Sequence, residues 1–242
     1  MLNAPVTVDD NPNGKKITTF NHSIEFKNVG FAYDDFVILK NINLTVGKGK
    51  TIALVGSSGA GKSTLADLVP RFHDVTSGEL LIDGVNIKDY SLKDLRELMG
   101  IVTQEPILFN DTIANNIAFG VADQSDREQL LERIRSAASD AAILSNINEL
   151  PAGFETMVGE RGITLSGGQK QRVSIARAII RNPSLLIFDD CLSAVDTRTE
   201  EEILRNLKRI MEKRTTVIIG HRISSVRHAG RILVMDNGRI VE

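Results

Sequence analysis

The segment Gly56 to Ser63, GSSGAGKS, has the spacing G-x-x-x-x-G-K-[ST] between an apolar run and a stretch of helical pattern. Its glycines let the backbone turn N–H groups inward, where they can bind phosphate oxygens at a helix N-terminus. The positive charge of Lys62 can then lie next to the β and γ phosphates, and the Ser63 hydroxyl can ligate Mg²⁺. A Gly/Ser-rich turn is the alternative, but the strand and helix around the motif favour a nucleoside triphosphate site.

Two adjacent carboxylates, Asp189 and Asp190, follow the apolar run LLIF at residues 185–188. Such a run after Pro183 predicts a strand buried on both faces. In open α/β sheets, ligands bind beyond the carboxyl ends of the strands, so a ligand-binding acid is expected at this position. The pair raises the question of whether both carboxylates do the same job.

A second candidate anion site is LSGGQKQR at residues 165–172. Gly167 and Gly168 leave backbone N–H groups bare at the start of a predicted helix through Ala178, where the helix dipole favours an anion. Ser166 is also expected to cap this helix, and the two roles do not compete. The chain contains no Asn-Lys-x-Asp pattern for reading guanine, which argues against a GTPase.

The elements around these motifs alternate between strands and helices, which predicts a mostly parallel sheet wrapped by helices. Short alternating runs between Ile24 and Val55 predict a small mixed or antiparallel sheet before it, and an extra helical segment is expected at about 105–180. Asp83-Gly84 and Asn237-Gly238 predict hairpin turns. Residues 1–22 are polar and lack an apolar period, which favours a linker.

The composition excludes several classes of protein. The 242 residues are 42% hydrophobic, and no apolar run approaches the roughly 18 residues that span a bilayer or forms a signal peptide. The net charge of −2 gives no field that would favour nucleic acid. The single cysteine, Cys191, cannot form an intramolecular disulfide, which fits a reducing compartment.

Together, the phosphate-binding loop, LSGGQKQR and the acidic strand end resemble the nucleotide-binding domain of an ABC transporter (ATP-binding cassette), in matching order from about Ile24 to the last residue. The resemblance implies that residues 23–242 form an α/β fold, a P-loop NTPase (RecA-like) core with a mostly parallel sheet, an N-terminal antiparallel β subdomain and an inserted α-helical subdomain. It implies ATP and Mg²⁺ as cofactors and a second nucleotide-binding domain, identical or different, as partner. The two domains would pair head to tail, so that each ATP lies between the loop of one domain and the signature of the other.

The resemblance also assigns roles to single residues. Tyr33 would stack on adenine, Gln104 would reach Mg²⁺ and the attacking water, and His221 would contact the γ-phosphate; taken alone, these would be a packing residue, an exposed loop residue and a surface residue. Asp196 would lie in a loop that crosses the dimer interface, or would cap the helix that follows it, and both readings stay open. The implied nucleotide contacts are Tyr33, Gly56, Ser57, Ser58, Gly59, Ala60, Gly61, Lys62, Ser63 and Thr64; the metal ligands are Ser63, Gln104 and Asp189; and the signature residues acting in trans are Ser166, Gly167, Gly168 and Gln169.

The catalytic group implied by the resemblance is Asp190, His221 and Gln104, and Asp190 departs from the family pattern. Glutamate usually stands there and polarises the hydrolytic water. General-base assistance contributes about 10²–10⁴ in rate, and a displacement of about 1 Å can cost about 10²-fold. The shorter aspartate therefore predicts normal ATP binding but slow hydrolysis, which resembles the degenerate site of a heterodimeric exporter.

The leading hypothesis is the motor domain of an ABC exporter at the cytoplasmic face of a membrane. GERG at residues 159–162 favours an exporter over an importer, and the transmembrane domain is expected outside this chain, which would itself be soluble. One alternative is an essentially non-catalytic regulatory ATP-binding module of a heterodimeric transporter. Another is a soluble ABC ATPase of DNA repair or translation, but these usually carry two nucleotide domains or a long coiled coil.

Overall fold

The computed structural model describes residues 8–159, 164–220 and 222–242. The strands are β1 (Ser23–Tyr33), β2 (Phe36–Gly47), β3 (Thr51–Gly56), β4 (Ser77–Ile82), β5 (Val85–Asn86), β6 (Met99–Val102), β7 (Asp111–Thr112), β8 (Met157–Val158), β9 (Leu185–Asp189), β10 (Thr215–Ile219), β11 (Arg231–Asp236) and β12 (Arg239–Ile240). The helices are α1 (Lys62–Leu68), α2 (Leu92–Glu97), α3 (Ile113–Ala118), α4 (Arg127–Asp140), α5 (Leu144–Asn148), α6 (Gly167–Ile179), α7 (Thr197–Met211) and α8 (Ile223–Val226). The chain divides into two compact units, the first formed by residues up to 99 together with 214–242, and the second by 100–213.

The first unit contains the predicted antiparallel sheet, in the order β2-β1-β4-β5. Ile24 lies opposite Val46 of β2 and Ile82 of β4, and Phe26 lies opposite Leu44. These side chains are buried, because alternate residues of each strand face the same side of the sheet. These inward-facing side chains form part of the core of the unit, and the sheet confirms the expected N-terminal β subdomain.

The same unit holds β3 between two parallel neighbours, β10 and β11, with β12 antiparallel to β11. Ile52, Ala53 and Leu54 of β3 are buried, as a central parallel strand requires. Helix α1 follows β3 after a loop of five residues, so that the loop lies at the carboxyl end of a central strand.

The second unit is mainly helical. Helix α6 packs against α3 and α4, and its buried face includes Val173, Ile175, Ala176 and Ile179. The short strands β7 and β8 pair antiparallel, and β9 lies beside β6. The predicted helical insertion is therefore present, with α3, α4, α5 and α6 inside the expected range of about 105–180.

Residues 8–22 belong to the first unit and pack against the rest of it. Ile17 and Phe20 are buried, and Lys15 forms a bridge with Tyr90. A carboxylate oxygen of Asp10 accepts the Leu92 N–H at 3.0 Å, at the start of α2. The assignment of this segment as a linker from another domain stays a prediction, and its described part is anchored.

No helix in residues 8–159, 164–220 and 222–242 is long and apolar enough to cross a membrane.

Both predicted hairpin turns are present. Asp83 and Gly84 have φ of 52° and 77° between β4 and β5, and Asn237 and Gly238 have φ of 47° and 77° between β11 and β12. Asp83 has a second role, because its carboxylate accepts the backbone N–H groups of Asn21 and His22 at 2.7 Å and of Ser23 at 3.1 Å. These bonds tie the chain before β1 to the end of β4.

Asp83→Ala is expected to lower the free energy of unfolding by about 2 kcal/mol, because it removes three acceptor contacts and places alanine at positive φ. Asp83→Asn is the matched control, since asparagine tolerates this φ and keeps one acceptor oxygen, and it should cost less than half as much. Urea denaturation followed by circular dichroism measures both. Equal losses for the two variants would contradict the assigned role of the hydrogen bonds.

Candidate functional site

The loop between β3 and α1 is shaped by Gly56, Gly59 and Gly61, which have φ of 145°, 79° and 95°. A Cβ at Gly56 would collide with the carbonyl oxygen of Met235 in β11, and one at Gly61 would lie 2.8 Å from Leu39 Cδ2. Among the described residues other than Gly59 and its two chain neighbours, no atom lies within 4 Å of the position that a Cβ would take at Gly59. The loop is therefore packed at its two ends and open at its tip, which suits the approach of a ligand to the backbone.

Gly238 holds the loop against the antiparallel sheet. Its N–H donates to the Ala60 carbonyl at 3.2 Å, and its own carbonyl accepts the Lys40 N–H at 2.8 Å. A Cβ at Gly238 would collide with the carbonyl oxygen of Ile38, so this contact requires glycine. The predicted Asn-Gly turn thus connects the loop to β2 in addition to joining β11 to β12.

Lys62 is the first residue of α1 and is 6% exposed. Its ammonium Nζ donates to the carbonyls of Gly56 at 2.9 Å and Ser57 at 2.8 Å, so the charge lies across the mouth of the loop. In the described α1, Gly61 at the N-cap provides no side-chain cap, and the first turn carries no acidic residue. The N–H groups and the positive dipole end of this helix can therefore serve an anion.

Tyr33 ends β1 at the tip of the β1–β2 hairpin and is 41% exposed. Its ring packs edge-on against Phe31 and His73, at centroid distances of 4.7 and 5.2 Å. The register pairs Phe31 with Leu39, the residue that contacts Gly61, and pairs Tyr33 with Phe36 two residues further along β1. An exposed, braced aromatic ring therefore lies along the same hairpin that touches the phosphate-binding loop.

Asp189 and Asp190 have different backbone conformations. Leu185 to Phe188 are at most 3% exposed, which confirms the fully buried strand, and Asp189 is its last extended residue. Asp190 has φ of 40°, in the left-handed region that aspartate enters more readily than glutamate. The chain then turns, with the Asp190 carbonyl accepting the Ser193 N–H at 3.2 Å. The neighbouring Cys191 is buried, and burial raises the pKa of its thiol well above the ordinary value.

The signature segment begins α6 with a capping box. Ser166 Oγ accepts the Gln169 N–H at 3.3 Å, and Gln169 Oε1 accepts the Ser166 N–H at 2.9 Å. This confirms the expected N-cap role of Ser166 and gives Gln169 a structural role as well. Gly167, which is exposed, and Gly168, which is half-buried, form the first turn, where backbone N–H groups have no acceptor one turn earlier in the helix.

Gln104 and Asp196 lie in exposed loops of the same unit. The run GIVTQ at residues 100–104 predicts a strand that ends at Gln104, but β6 ends at Val102, so Gln104 lies two residues beyond the strand. Asp196 caps α7, since its carboxylate accepts the Thr199 N–H at 3.0 Å, and this backbone bond holds the pKa of the carboxyl below its ordinary value. The cap reading is confirmed, while the interface reading stays a prediction.

A network missed by the sequence reading shapes the loop after Gln104. Arg177 of α6 donates to Asn116 O, Asn116 Oδ1 and Ile107 O, each at 2.8 Å, and its guanidinium lies 5.2 Å from the Phe109 ring centroid. Burial lowers the pKa of Arg177. The loop borders an open groove of about 430 Å³, lined by Pro106, Ile107, Leu108, Val158, Gly159, Thr164, Leu165 and Lys170. No motif signals this network, because its bonds join residues about 60 to 70 positions apart.

His221 and residues 160–163 lie outside the described residues, so the assignments that involve His221 and GERG stay predictions.

Comparisons with known proteins agree with these features. The family model described as ABC transporter matches residues 39–193. A relative named ATP-dependent lipid A-core flippase, from Syntrophus aciditrophicus, is 48% identical over 233 residues, which are 96% of this chain and 38% of the relative. ABC transporter B family member 6 of Dictyostelium discoideum is 46% identical over 260 residues, covering 100% of this chain and 38% of the relative.

A solved structure described as a bacterial Atm1-family ABC exporter with ATP bound matches with a TM-score of 0.90 and 45% identity, over 99% of this chain and 41% of that one. The chain therefore spans about two fifths of the length of the proteins it matches.

Lys62→Ala is expected to weaken ATP binding at least about 100-fold, because charged hydrogen bonds to phosphate worth about 3 kcal/mol in total are lost. Lys62→Met keeps the apolar stem of the buried side chain and should lose binding equally, while the exposed Lys48→Ala should bind as the unchanged chain does. Titration with a fluorescent ATP analogue measures all three. Unchanged affinity in both Lys62 variants would refute the site.

Proposed function

Since this chain belongs to the ABC transporter family, we propose that it is the ATP-hydrolysing motor domain of an exporter. The observation that carries the proposal is the presence of two anion-binding features in one chain, the glycine loop with Lys62 in the first unit and the start of α6 in the second. Domains of this family bind ATP. The domain would act at the cytoplasmic face of a membrane, and a transmembrane domain outside these residues would carry out the export step.

The residues of the loop fit a triphosphate. Its glycines leave the tip open, its carbonyls are engaged by Lys62 and Gly238, and the start of α1 is uncapped by side chains of the described residues. Phosphate oxygens would therefore meet backbone N–H groups and one buried ammonium, while the exposed ring of Tyr33 offers its face to adenine.

Mg²⁺ is the proposed companion of ATP, and it would neutralise negative charge on the phosphates. Its ligands from this chain would be the Ser63 hydroxyl, the Asp189 carboxylate and the Gln104 side chain, all oxygen donors that a hard cation accepts. The described part of the chain contains no group of three or more His, Cys, Asp or Glu that could hold a metal ion. The proposed Mg²⁺ site would be completed by substrate phosphates and water.

A partner domain is proposed because each of the two candidate anion sites would contact a different ATP. The loop of this chain would hold ATP, and the start of α6 would cover ATP held by a second nucleotide-binding domain paired head to tail. Ser166, Gly167, Gly168 and Gln169 would act there, with Asp196 at the border between domains. The groove beside Ile107 and Leu108 would receive the transmembrane domain, because apolar surface next to Gln104 can link nucleotide state to movement.

Asp190 is the proposed general base, with Gln104 placing the water and His221 contacting the γ-phosphate. The Asp190 side chain is one methylene shorter than that of glutamate, so its carboxylate would polarise the water from a greater distance. Slow turnover follows, since poor placement of a base costs up to about 10²-fold. The same observation supports a second candidate function, a regulatory module in a heterodimeric transporter whose bound ATP holds the domains together without appreciable hydrolysis.

Asp190→Glu is expected to leave ATP affinity unchanged and to raise steady-state Mg-ATP turnover at least about tenfold, because the carboxylate moves closer to the water. Turnover should rise more steeply than linearly with protein concentration, as a paired site requires. Asp190→Asn, which keeps the shape of the side chain and removes its charge, should show almost no turnover.

Equal turnover of the unchanged chain and Asp190→Glu, both well above that of Asp190→Asn, would refute the proposed defect. Turnover that stays near background in all three proteins, together with normal ATP binding, would favour the regulatory module. Thermal unfolding of each variant separates these outcomes from a cost of placing glutamate at φ of 40°.

Ser166→Arg is expected to leave ATP binding by the monomer within about twofold, because the signature would contact ATP held by the partner domain, and to abolish ATP-driven pairing. Ser166→Ala removes the capping hydroxyl, worth about 1 kcal/mol, without adding bulk, and should still pair. Analytical ultracentrifugation in the Asp190→Asn background, which preserves bound ATP, measures pairing. A loss of monomer binding in Ser166→Arg would mean that the signature acts in cis.

A further inference from the structure

Gln171, in the second turn of α6, is 3% exposed and makes three hydrogen bonds through its side-chain amide. Nε2 donates to the Gln104 carbonyl at 3.4 Å and to Ser193 Oγ at 3.3 Å, and Oε1 accepts the Ala194 N–H at 3.1 Å. A backbone N–H can only donate and a carbonyl can only accept, so these partners determine which way the amide faces. A hydrocarbon or a carboxylate of the same size cannot satisfy all three.

The partners of Gln171 lie on both loops of the second unit that carry proposed hydrolytic residues. One partner is the backbone of Gln104 itself. The others, Ser193 and Ala194, follow Asp190 by three and four residues. Ser193 Oγ in turn donates to the Asp190 carbonyl at 2.9 Å, so Gln171 is joined to the backbone of Asp190 through one hydroxyl.

The start of α6 supports the same segment from a second direction. A Cβ at Gly168 would lie 2.8 Å from the Ala194 carbonyl oxygen, and one at Gly167 would lie 3.4 Å from the Ala194 side chain. Ala194 is thus held by close packing against the signature glycines and by a hydrogen bond to Gln171. Movement of α6 and movement of the segment after Asp190 are therefore coupled by direct contact.

We propose that Gln171 is a positioning residue for ATP hydrolysis, which fixes the Gln104 loop and the Asp190 turn relative to the signature helix. The inference rests on the proposed ATPase function and adds a residue to it. Gln171 acts through the backbones of Gln104 and Asp190 and does not itself touch nucleotide or water. Its buried amide makes the geometry of both loops depend on the position of α6.

The test compares Gln171→Met, which keeps the volume and removes all three bonds, with Gln171→Glu, which keeps only the acceptor. Turnover per bound ATP is measured in the 242-residue chain and in its Asp190→Glu variant. We expect kcat to fall at least about tenfold in Gln171→Met, since displacement of reacting groups by about 1 Å can cost about 10²-fold. The KM for ATP should change less than twofold. The kcat of Gln171→Glu should lie between those of Gln171→Met and the unchanged chain.

Gln124→Met is the matched control, because Gln124 donates a single bond, to the Val121 carbonyl at 3.2 Å, elsewhere in the same unit. It should leave kcat unchanged. Ser193→Ala completes a double-mutant cycle with Gln171→Met: a combined loss smaller than the product of the two single losses is expected, because both changes break the same connection. Independent, multiplicative losses would overturn the path through Ser193.

Hydrogen exchange at the Ala194 amide gives a readout that does not depend on activity. Exchange should be at least about tenfold faster in Gln171→Met and nearly unchanged in Gln124→Met, at equal thermal stability. Normal exchange, or normal kcat in a protein that hydrolyses ATP, would overturn the inference. If neither background hydrolyses ATP, the proposed function fails instead, and faster exchange still establishes that Gln171 holds the segment after Asp190.

Discussion

The orientation of the peptide groups in the loop after β3 is the constraint on which the first unit depends. A loop that binds phosphate must direct N–H groups inward, and its carbonyl oxygens then need other donors. The Lys62 ammonium serves Gly56 and Ser57, and the Gly238 N–H serves Ala60. The parallel strand β11, the hairpin that follows it and the antiparallel β2 are all needed to place these donors. The two kinds of sheet in this unit therefore meet at one short loop.

Burial of Lys62 explains why the loop favours anions. A buried ammonium is costly unless it is hydrogen-bonded, and carbonyl oxygens offer only partial charges. A phosphate can approach the same ammonium as a full counter-charge without disturbing the packed ends of the loop, since Gly56 and Gly61 already fit against Met235 and Leu39. The proposed affinity for triphosphate would therefore arise from groups that folding of the first unit has placed beforehand.

Much of the fold and the site could be predicted from the sequence, because the signals are local. The loop, the fully buried strand before Asp189, the two Asx-Gly turns and the cap at Ser166 each depend on a few consecutive residues. Strand β6 was expected to reach Gln104, but it ends at Val102, since an apolar run does not show where ladder pairing stops.

Long-range hydrogen bonds between side chains and backbone could not be predicted from the sequence. Gln171 reaches Gln104 across 67 positions, and Arg177 reaches Ile107 across 70. Neither leaves a periodic or compositional signal, because a buried Gln or Arg is recognised only when its acceptors are known. The left-handed φ of Asp190 could not be predicted either, since aspartate also occurs widely in extended and helical backbone.

The division of residues between the two units explains how binding and hydrolysis can vary separately. The groups that would hold base and phosphates, from Tyr33 to Thr64, belong to the first unit, whereas Gln104, Asp189, Asp190 and the signature belong to the second. The hydrogen bonds that support the loop come from Lys62 and Gly238, so under the proposed function a change at Asp190 would alter the rate of hydrolysis and not the affinity for ATP. A change at Gln171 would affect the segments of Gln104 and Asp190 together, because one amide is bonded to both segments. On this proposal, the second unit would lose or regain hydrolysis through a single residue while the first still bound ATP.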